Sequence, residues 1–476
     1  RSPLLVFATG LLAAALLVTA RAEPLDSPSG HAALGQALRR LGTTATLMMA
    51  TAHPDDEQNA VLALTSRGLG PRTVLVTATR GDGGQNEIGP ELFDALAVLR
   101  TEELLAAHRH DGAEQFFTRA VDFGYSFSVD ETFRLWGREE ILGDFVRLIR
   151  LVRPDVVVAL RPDGRGGGQH HQASARLARE AVAAAGDPAR FPEQLREGLR
   201  PWRPAKFYFL AAWGFRGEPP PSGRNLLSVG VEAFDPLSGR TWAEIGSLAR
   251  SFHKSQGFGQ LLVLPGEARP AQYELVDTTL AAPVGKETSF FDGLDTRLAA
   301  LARHAPAAAP RLGAELAALD ARAEAARAAF ARSDTQGILD ALAEGLRRLR
   351  ALREALPSLV AEEQARFEID VRLAREEHDF VDALVVAHGL RIDVLADDGV
   401  VVAGQPVRVE IIVANRSARP VGVRRVELRG LEPSGETSAG SNGNALQGRR
   451  GPAPCRPGEA PPGGVFRCTA EARIPS

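Results

Sequence analysis

The first half of the chain alternates short apolar runs with amphipathic stretches. The short apolar runs lie at 46–51, 73–79, 155–160 and 206–212, and the amphipathic stretches lie near 91–111, 138–152 and 172–185. Strands that alternate with helices are typical of βαβ units and a parallel sheet. The pattern predicts an α/β domain over residues 31–285, with a Rossmann-like, mostly parallel sheet and flanking helices. Active sites in such sheets lie at the carboxyl ends of the strands.

Two other patterns follow this domain. Between residues 290 and 390, leucines recur at steps of three and four, as at Leu294, Leu298 and Leu301. This spacing predicts a helical hairpin or small bundle, with the leucines in its core. Between residues 391 and 476, apolar residues alternate with polar ones, which is typical of strands. We expect a partial β-sandwich there, truncated by the end of the sequence.

The N-terminus carries a candidate export signal. An apolar run of 15 residues from Leu4 to Val18 is shorter than a typical membrane-spanning helix. Ala20-Arg21-Ala22 then provides a small-x-small cleavage pattern. We therefore predict a signal peptide at residues 1–22, a secreted or periplasmic protein, and no integral membrane span after cleavage.

Composition narrows the possible classes. The 476 residues carry a net charge of −3, with 44% hydrophobic and 24% charged residues, which is an ordinary globular balance. It indicates no nucleic-acid partner and excludes a disordered chain or a polytopic membrane protein. The two cysteines, Cys455 and Cys468, exclude a four-cysteine zinc site but could form one disulfide in an oxidising compartment. A metal would therefore be held by His, Asp or Glu, and the sequence leaves the oligomeric state open.

One motif carries the candidate chemistry. Ala52-His53-Pro54-Asp55-Asp56-Glu57 follows the first predicted strand directly. A His and an Asp three residues apart at such a turn can converge on one cation, and Asp55 between them can stay off it. Nitrogen and oxygen donors suit Zn²⁺, with a third protein ligand leaving the fourth position for water. Zinc lowers the pKa of that water to about 7, and a free carboxylate can take its proton. The alternative is a helix N-cap with an incidental histidine.

The motif resembles that of the PIG-L (LmbE-like) family of zinc-dependent N-acetylglucosaminyl deacetylases. Three other segments resemble motifs of the family and follow in the same order. These segments are the glycine-rich loop at 79–84, Arg100-Thr101-Glu102-Glu103, and Gln169-His170-His171-Gln172-Ala173. The resemblance covers roughly residues 44–260.

The resemblance implies a role for each matching residue. His53, Asp56 and His171 match the zinc ligands, and Asp55 matches the general base. The family usually has a histidine three residues before the last ligand, which is thought to polarise the carbonyl or protonate the leaving amine. This position is Gly168 here, so His170 could take that role or serve as a ligand itself.

Four further residues are candidate substrate contacts. Arg100 could bind a hydroxyl or carboxylate, although Arg–Glu pairing on a helix surface is an alternative. Asp82 and Asn86 could face the substrate or support the loop. His253 lies in a segment, 251–256, that resembles one near the family's pocket, and its alternative is a surface helix position.

Together these features imply a secreted zinc hydrolase that removes an acetyl group from an N-acetyl amino sugar or glycoconjugate. Two alternatives stay open. One is an amidase for a different amide, and the other is a degenerate, non-catalytic carbohydrate-binding protein, which the glycine at position 168 would favour. A nucleotide-dependent enzyme is disfavoured, because the chain has no P-loop and no phosphate-binding Gly-x-Gly-x-x-Gly.

Overall fold

A computed structural model describes residues 29–212, 226–259, 262–281, 285–433 and 455–475. The predicted signal peptide at residues 1–22 lies outside the described residues. The fold divides into two compact units. One is Arg39–Asp320, and the other combines Arg1–Leu38 with Ala321–Ser476. Helix α1 (Gly30–Arg40) crosses the first boundary.

The Arg39–Asp320 unit is built on a seven-stranded sheet. Its strands are β1 (Thr46–Thr51), β2 (Arg72–Thr77), β3 (Glu114–Phe117), β4 (Val156–Ala159), β5 (Lys206–Ala212), β6 (Leu226–Val229) and, after the two-residue pair β7 (Phe234–Asp235) and β8 (Arg240–Thr241), β9 (Ala271–Thr278). Their order is β3-β2-β1-β4-β5-β9-β6. The five strands from β3 to β5 are parallel, while β9 runs antiparallel to both of its neighbours. The predicted mostly parallel sheet is confirmed.

Helices cover the sheet. They are α2 (Asn59–Ala63), α3 (Asp94–Asp111), α4 (Val129–Trp136), α5 (Arg138–Val152), α6 (Gln169–Gly186), α7 (Pro192–Arg196) and α8 (Trp242–Arg250). Every residue of β1 and β4 is buried. Parallel strands covered on both faces read as continuous apolar runs, which is why these two were visible in the sequence. The predicted amphipathic stretches correspond to α3, α5 and α6.

The strand order determines where chemistry can occur. The chain passes from β1 to β2 and β3 on one side, and returns to β4 on the other side of β1. Such a reversal opens a crevice at the carboxyl ends of the two central strands. The loop after β1, which carries the motif at 52–57, and the start of α6, which carries the motif at 169–173, meet at this crevice.

The second unit contains long helices and small sheets. Helix α9 (Ala309–Ala331) leads into it, and α10 (Thr335–Leu359) and α11 (Glu363–Ala387) follow. Leu342, Leu346 and Leu349 of the leucine stripe are buried, so the predicted core role of the stripe is confirmed. None of the helices among the described residues has the length and hydropathy needed to cross a membrane.

The C-terminal strands form two separate small sheets. They are β10 (Leu390–Ala396), β11 (Pro406–Asn415), β12 (Val421–Val423), β13 (Glu432–Pro433), β14 (Gly458–Ala460) and β15 (Val465–Arg473). The orders are β10-β11-β15-β13 and β12-β14. Alternate residues of β11 are buried, as its period of two predicted. Cys455 and Cys468 are joined by a disulfide, with Cα atoms 6.0 Å apart.

Candidate metal centre

The turn after β1 is folded by its own aspartate. Asp56 accepts hydrogen bonds at Oδ2 from the backbone N–H groups of Ala52, at 3.0 Å, and His53, at 2.8 Å. Asp55 has a φ of 104°, a conformation that costs an L-residue about 1–3 kcal/mol. The turn therefore needs firm support from its surroundings.

The loop after β4 and the start of α6 bring the third predicted ligand to this turn. His171 Nε2 lies 2.8 Å from Asp56 Oδ1. His53, Asp56 and His171 each offer one ligand atom, and these atoms lie within 4.8 Å of one another. Gly167 makes the approach possible, since a Cβ at this residue would meet the His171 ring at 2.8 Å.

This arrangement fits zinc. Bonds of 2.0–2.2 Å in a tetrahedral site place two ligand atoms about 3.4 Å apart, so small side-chain shifts would bring all three onto one ion. The donor set of two imidazoles and one carboxylate is that of a catalytic zinc site with an open position. His171 Nδ1 and His170 Nε2 are buried without a hydrogen-bond partner among the described residues. The hydrogen bonds within the cluster therefore leave two ring nitrogens unsatisfied.

Charge in the cluster favours the ligand form of Asp56. Burial opposes its ionisation, but the charge of His171 and its hydrogen bond outweigh this and hold the pKa of Asp56 well below its usual value. Burial likewise lowers the pKa of His171, yet Asp56 raises it overall. The pair is thus an ionised carboxylate beside an imidazole that readily holds a positive charge, a charge that a bound cation could replace.

Asp55 is held between two buried charged groups. Arg100 donates from Nη2 to Asp55 Oδ1 at 3.1 Å and to the Pro54 carbonyl, and from Nη1 to the Gly81 carbonyl at 3.2 Å. Glu57 Oε2 accepts the Asp55 backbone N–H at 2.9 Å. Burial and the negative charge of Asp56 raise the pKa of Asp55. Arg100, predicted as a substrate contact, is buried and contacts Asp55.

A polar network lies beneath the turn. Glu57 is fully buried and accepts at Oε1 from Asn59 Nδ2 at 3.0 Å, with His253 Nε2 at 2.6 Å. Burial opposes ionisation of Glu57, but His253 and Arg250 outweigh it and lower its pKa. His253 was predicted to contact substrate. The structure gives it no exposed surface and places it against Glu57, because α8 ends beneath this turn.

Sequence reasoning missed Asp122. Its carboxylate lies 3.4 Å from His170 Nδ1 and 3.7 Å from His53 Nε2, and His53 Nε2 lies 3.1 Å from His170 Nδ1. Burial opposes ionisation of Asp122, but its contacts with His170 and His53 lower its pKa to about 2. His53, Asp122 and His170 thus form a second group able to hold a cation. Its position in a loop at the carboxyl edge was the available signal, but the preceding strand, β3, begins with polar Glu114 and was not predicted.

His170, Asp82 and Asn86 lie around this cluster. The rings of Phe123 and Trp136 lie 4.4 Å and 5.0 Å from the His170 ring, which is 4% exposed. Asp82 accepts the Asp122 N–H at 3.4 Å. The Asn86 side chain bonds to Glu91 and to the Ile88 N–H in its own loop. The structure thus brings Asp82 to the site and shows a loop contact for Asn86.

Two imidazoles and a carboxylate lie at the crevice where the strand order of this α/β sheet reverses. This arrangement defines a candidate metallohydrolase. Residues 48–182 match the PIG-L family model, described as GlcNAc-PI de-N-acetylase. The chain therefore carries a PIG-L (LmbE-like) domain, in agreement with the resemblance seen in the sequence.

Two relatives in sequence are named as deacetylases. The 1D-myo-inositol 2-acetamido-2-deoxy-alpha-D-glucopyranoside deacetylase of Streptomyces scabiei is 33% identical over 39% of this chain and 60% of its own length. The enzyme of the same name from Kineococcus radiotolerans is 35% identical over 36% and 53%. The chain thus spans little more than half of these relatives. N,N'-diacetylchitobiose deacetylase from Pyrococcus horikoshii is 19% identical, covering 46% of this chain and 72% of that one, but its TM-score of 0.34 is too low to inform the site.

Proposed function

We propose that this chain is a zinc-dependent deacetylase that removes the acetyl group from an N-acetylated amino sugar or glycoconjugate. The proposal rests on one observation, the convergence of His53, Asp56 and His171 beside Asp55 within a PIG-L domain. The relatives above are named as deacetylases of a 2-acetamido-2-deoxy-glucopyranoside, which supports an N-acetylglucosamine-type substrate.

The chain's own residues divide the chemistry between them. His53, Asp56 and His171 would hold the metal. Bound zinc would supply Lewis acidity, which polarises an amide carbonyl and makes water more acidic. Asp55 takes the proton of the attacking water on a carboxylate oxygen. Asp55 can then return this proton to the nitrogen of the leaving amine.

Arg100 and the pair Asp122–His170 have supporting roles in this proposal. Arg100 holds Asp55 by one carboxylate oxygen and leaves the other for water. His170, expected to be a proton donor, is covered by two aromatic rings and contacts His53 Nε2. We therefore assign His170 and Asp122 to holding the His53 ring, since a partner on the second nitrogen fixes the orientation of a metal-binding imidazole.

The site of action is a separate proposal. The predicted signal peptide at residues 1–22 supports, from sequence alone, an enzyme that acts in the periplasm or outside the cell.

The test combines metal analysis with acetate release. We expect about one zinc per chain, as for a single catalytic site, and acetate release from N-acetylglucosamine or its short oligomers. Asp55→Asn should keep the zinc and lose about 10²–10⁴-fold in kcat, the usual contribution of a general base. Asp130→Asn, an exposed carboxylate on α4, is the matched control and should keep both.

The other outcomes separate the alternatives. Near-normal turnover by Asp55→Asn would overturn the assignment of the base. Zinc without acetate release would favour a different amide or a carbohydrate-binding protein. A chain that takes up no zinc would overturn the proposal as a whole.

A further inference from the structure

Two aromatic rings stand in solvent on the loop that supplies Asp122. Tyr125 is 81% exposed and Phe127 is 80% exposed. Their ring centroids lie 5.1 Å apart, with the planes at 81°. Large rings exposed side by side in this way are a common mark of a binding surface.

The loop that carries these rings is anchored along its length. The Gly124 N–H donates to Asp122 Oδ1 at 2.8 Å, and Trp136 Nε1 donates to the Val121 carbonyl at 3.0 Å. The Phe127 N–H donates to Glu131 Oε2 at 2.7 Å, and buried Ser126 bonds to Thr132 at 2.9 Å. Side chains that point inward thus fix the backbone on both sides of the pair, and the rings are presented on a supported loop.

The aromatic pair lies close to the candidate metal centre. Tyr125 follows Asp122 by three residues, so their Cα atoms are at most about 11 Å apart. Asp122 itself lies 3.4 Å from His170 and 3.7 Å from His53. A substrate bound at the metal centre and one unit longer than a single sugar could therefore reach the pair.

We propose that Tyr125 and Phe127 form a subsite that stacks on a second sugar ring, next to the ring that loses its acetyl group. This inference rests on the proposed function and extends it, because it assigns the chain an oligosaccharide or extended glycoside rather than a free monosaccharide. A pyranose has an apolar C–H face and a polar edge, which match an exposed ring face and the tyrosine hydroxyl.

Charge around the pair favours a neutral partner. Asp130 and Glu131 lie three and four residues after Phe127, and Glu131 lies 3.9 Å from Arg134. Arg119 on the other side is paired with Asp144 at 2.7 Å. These nearly balanced charges offer an anionic lipid surface no net positive patch to bind. A neutral sugar ring needs no such patch.

The test compares substrates of different length. Tyr125→Ala and Phe127→Ala should raise KM for N,N'-diacetylchitobiose about tenfold relative to N-acetylglucosamine, the scale expected for one lost aromatic contact. Phe234→Ala removes a 63% exposed ring on β7 of the same unit and is the matched control. It should leave the ratio of the two KM values as in the wild type. Equal effects on both substrates, or none on either, would overturn the inference.

A binding measurement separates this inference from the proposed function. Calorimetry with a deacetylated glucosamine oligomer needs no turnover, and Tyr125→Ala should weaken this binding about tenfold. If the wild type binds the oligomer in this way but releases no acetate, the proposed function fails and the subsite stands. If it releases acetate with no preference for length, the subsite fails and the proposed function stands.

Discussion

Two buried clusters of ionisable groups lie at opposite ends of the seven-stranded sheet. At the amino end of β5, Lys206 Nζ lies 2.6 Å from Glu287 Oε1, and the Tyr208 hydroxyl donates to Oε2 at 2.8 Å. This cluster has one cation, one anion and one hydroxyl. At the carboxyl ends of β1 and β4, the candidate metal centre gathers three carboxylates from Asp55, Asp56 and Asp122, together with three histidines.

The difference indicates which of the two clusters is suited to binding a cation. A buried charge is costly unless it is paired. The Lys206–Glu287 cluster is balanced by its own groups. The candidate metal centre has an excess of carboxylates, three against the one permanent cation that contacts them, Arg100, together with a strained φ at Asp55 and histidine nitrogens without hydrogen-bond partners among the described residues. A cation would offset that excess, so changes there should alter function, while changes at Lys206–Glu287 should alter stability alone.

The largest expected effect is loss of the metal. His171→Ala should abolish stoichiometric zinc, because it removes a ligand that contacts Asp56. His170→Ala should keep the zinc with an affinity lower by about 10–100-fold, the usual cost of removing a group that holds a ligand. Elemental analysis and a zinc titration would measure both.

The reverse result would be informative. If His170→Ala lost the metal and His171→Ala kept it, the cation would be held by His53, Asp122 and His170, the second group at the same edge.

The sequence was sufficient to predict the candidate site residues that lie close together in the chain. His53, Asp55 and Asp56 were predicted because they follow an apolar strand directly, and His171 was predicted because residues 169–173 resemble a family motif. Asp122 was missed because β3, at the sheet edge, is only partly buried and starts with polar residues. Edge strands lack the continuous apolar signal of central ones.

Contacts between residues far apart in the chain could not be predicted from the sequence either. His253 is 196 residues from Glu57 in the chain, and nothing local to either residue indicates that they meet. The antiparallel β9 was also not predicted, because its half-buried pattern is compatible with a loop or an edge strand.

The second prediction compares matched substitutions in the two clusters. Glu287→Gln should lower the free energy of unfolding by about 3 kcal/mol, since it leaves Lys206 buried without its anion. Zinc content and kcat per folded molecule should stay at the wild-type level. Glu57→Gln should cost similar stability but also lower kcat about tenfold, because Glu57 supports the backbone of Asp55.

Denaturant unfolding and kinetics at saturating substrate would measure the two effects separately. Equal losses of kcat in both variants would mean that general destabilisation, rather than the position of Asp55, limits turnover.

The smallest expected effect concerns pH and a cation beneath the metal centre. His108 Nδ1 lies 2.8 Å from Asp111 Oδ1, and Asp111 also accepts from Asn59, which donates to Glu57. Burial lowers the pKa of His108, but Asp111 outweighs it and raises this pKa to about 9. Protonated His108 would thus balance this network, as Lys206 balances Glu287. Unlike lysine, it can lose its charge at moderate pH.

The folded-state pKa of His108 lies above its unfolded value of about 6.5. The stabilisation is therefore complete below pH 6.5 and is lost as the pH rises through about 9. The wild type should lose about 1–3 kcal/mol more stability than His108→Gln between pH 6.5 and 9.5. Urea unfolding at a series of pH values would show it. Parallel pH profiles for the two proteins would mean that folding leaves the pKa of His108 unchanged, and that His108, unlike Lys206, does not stabilise its cluster by its charge.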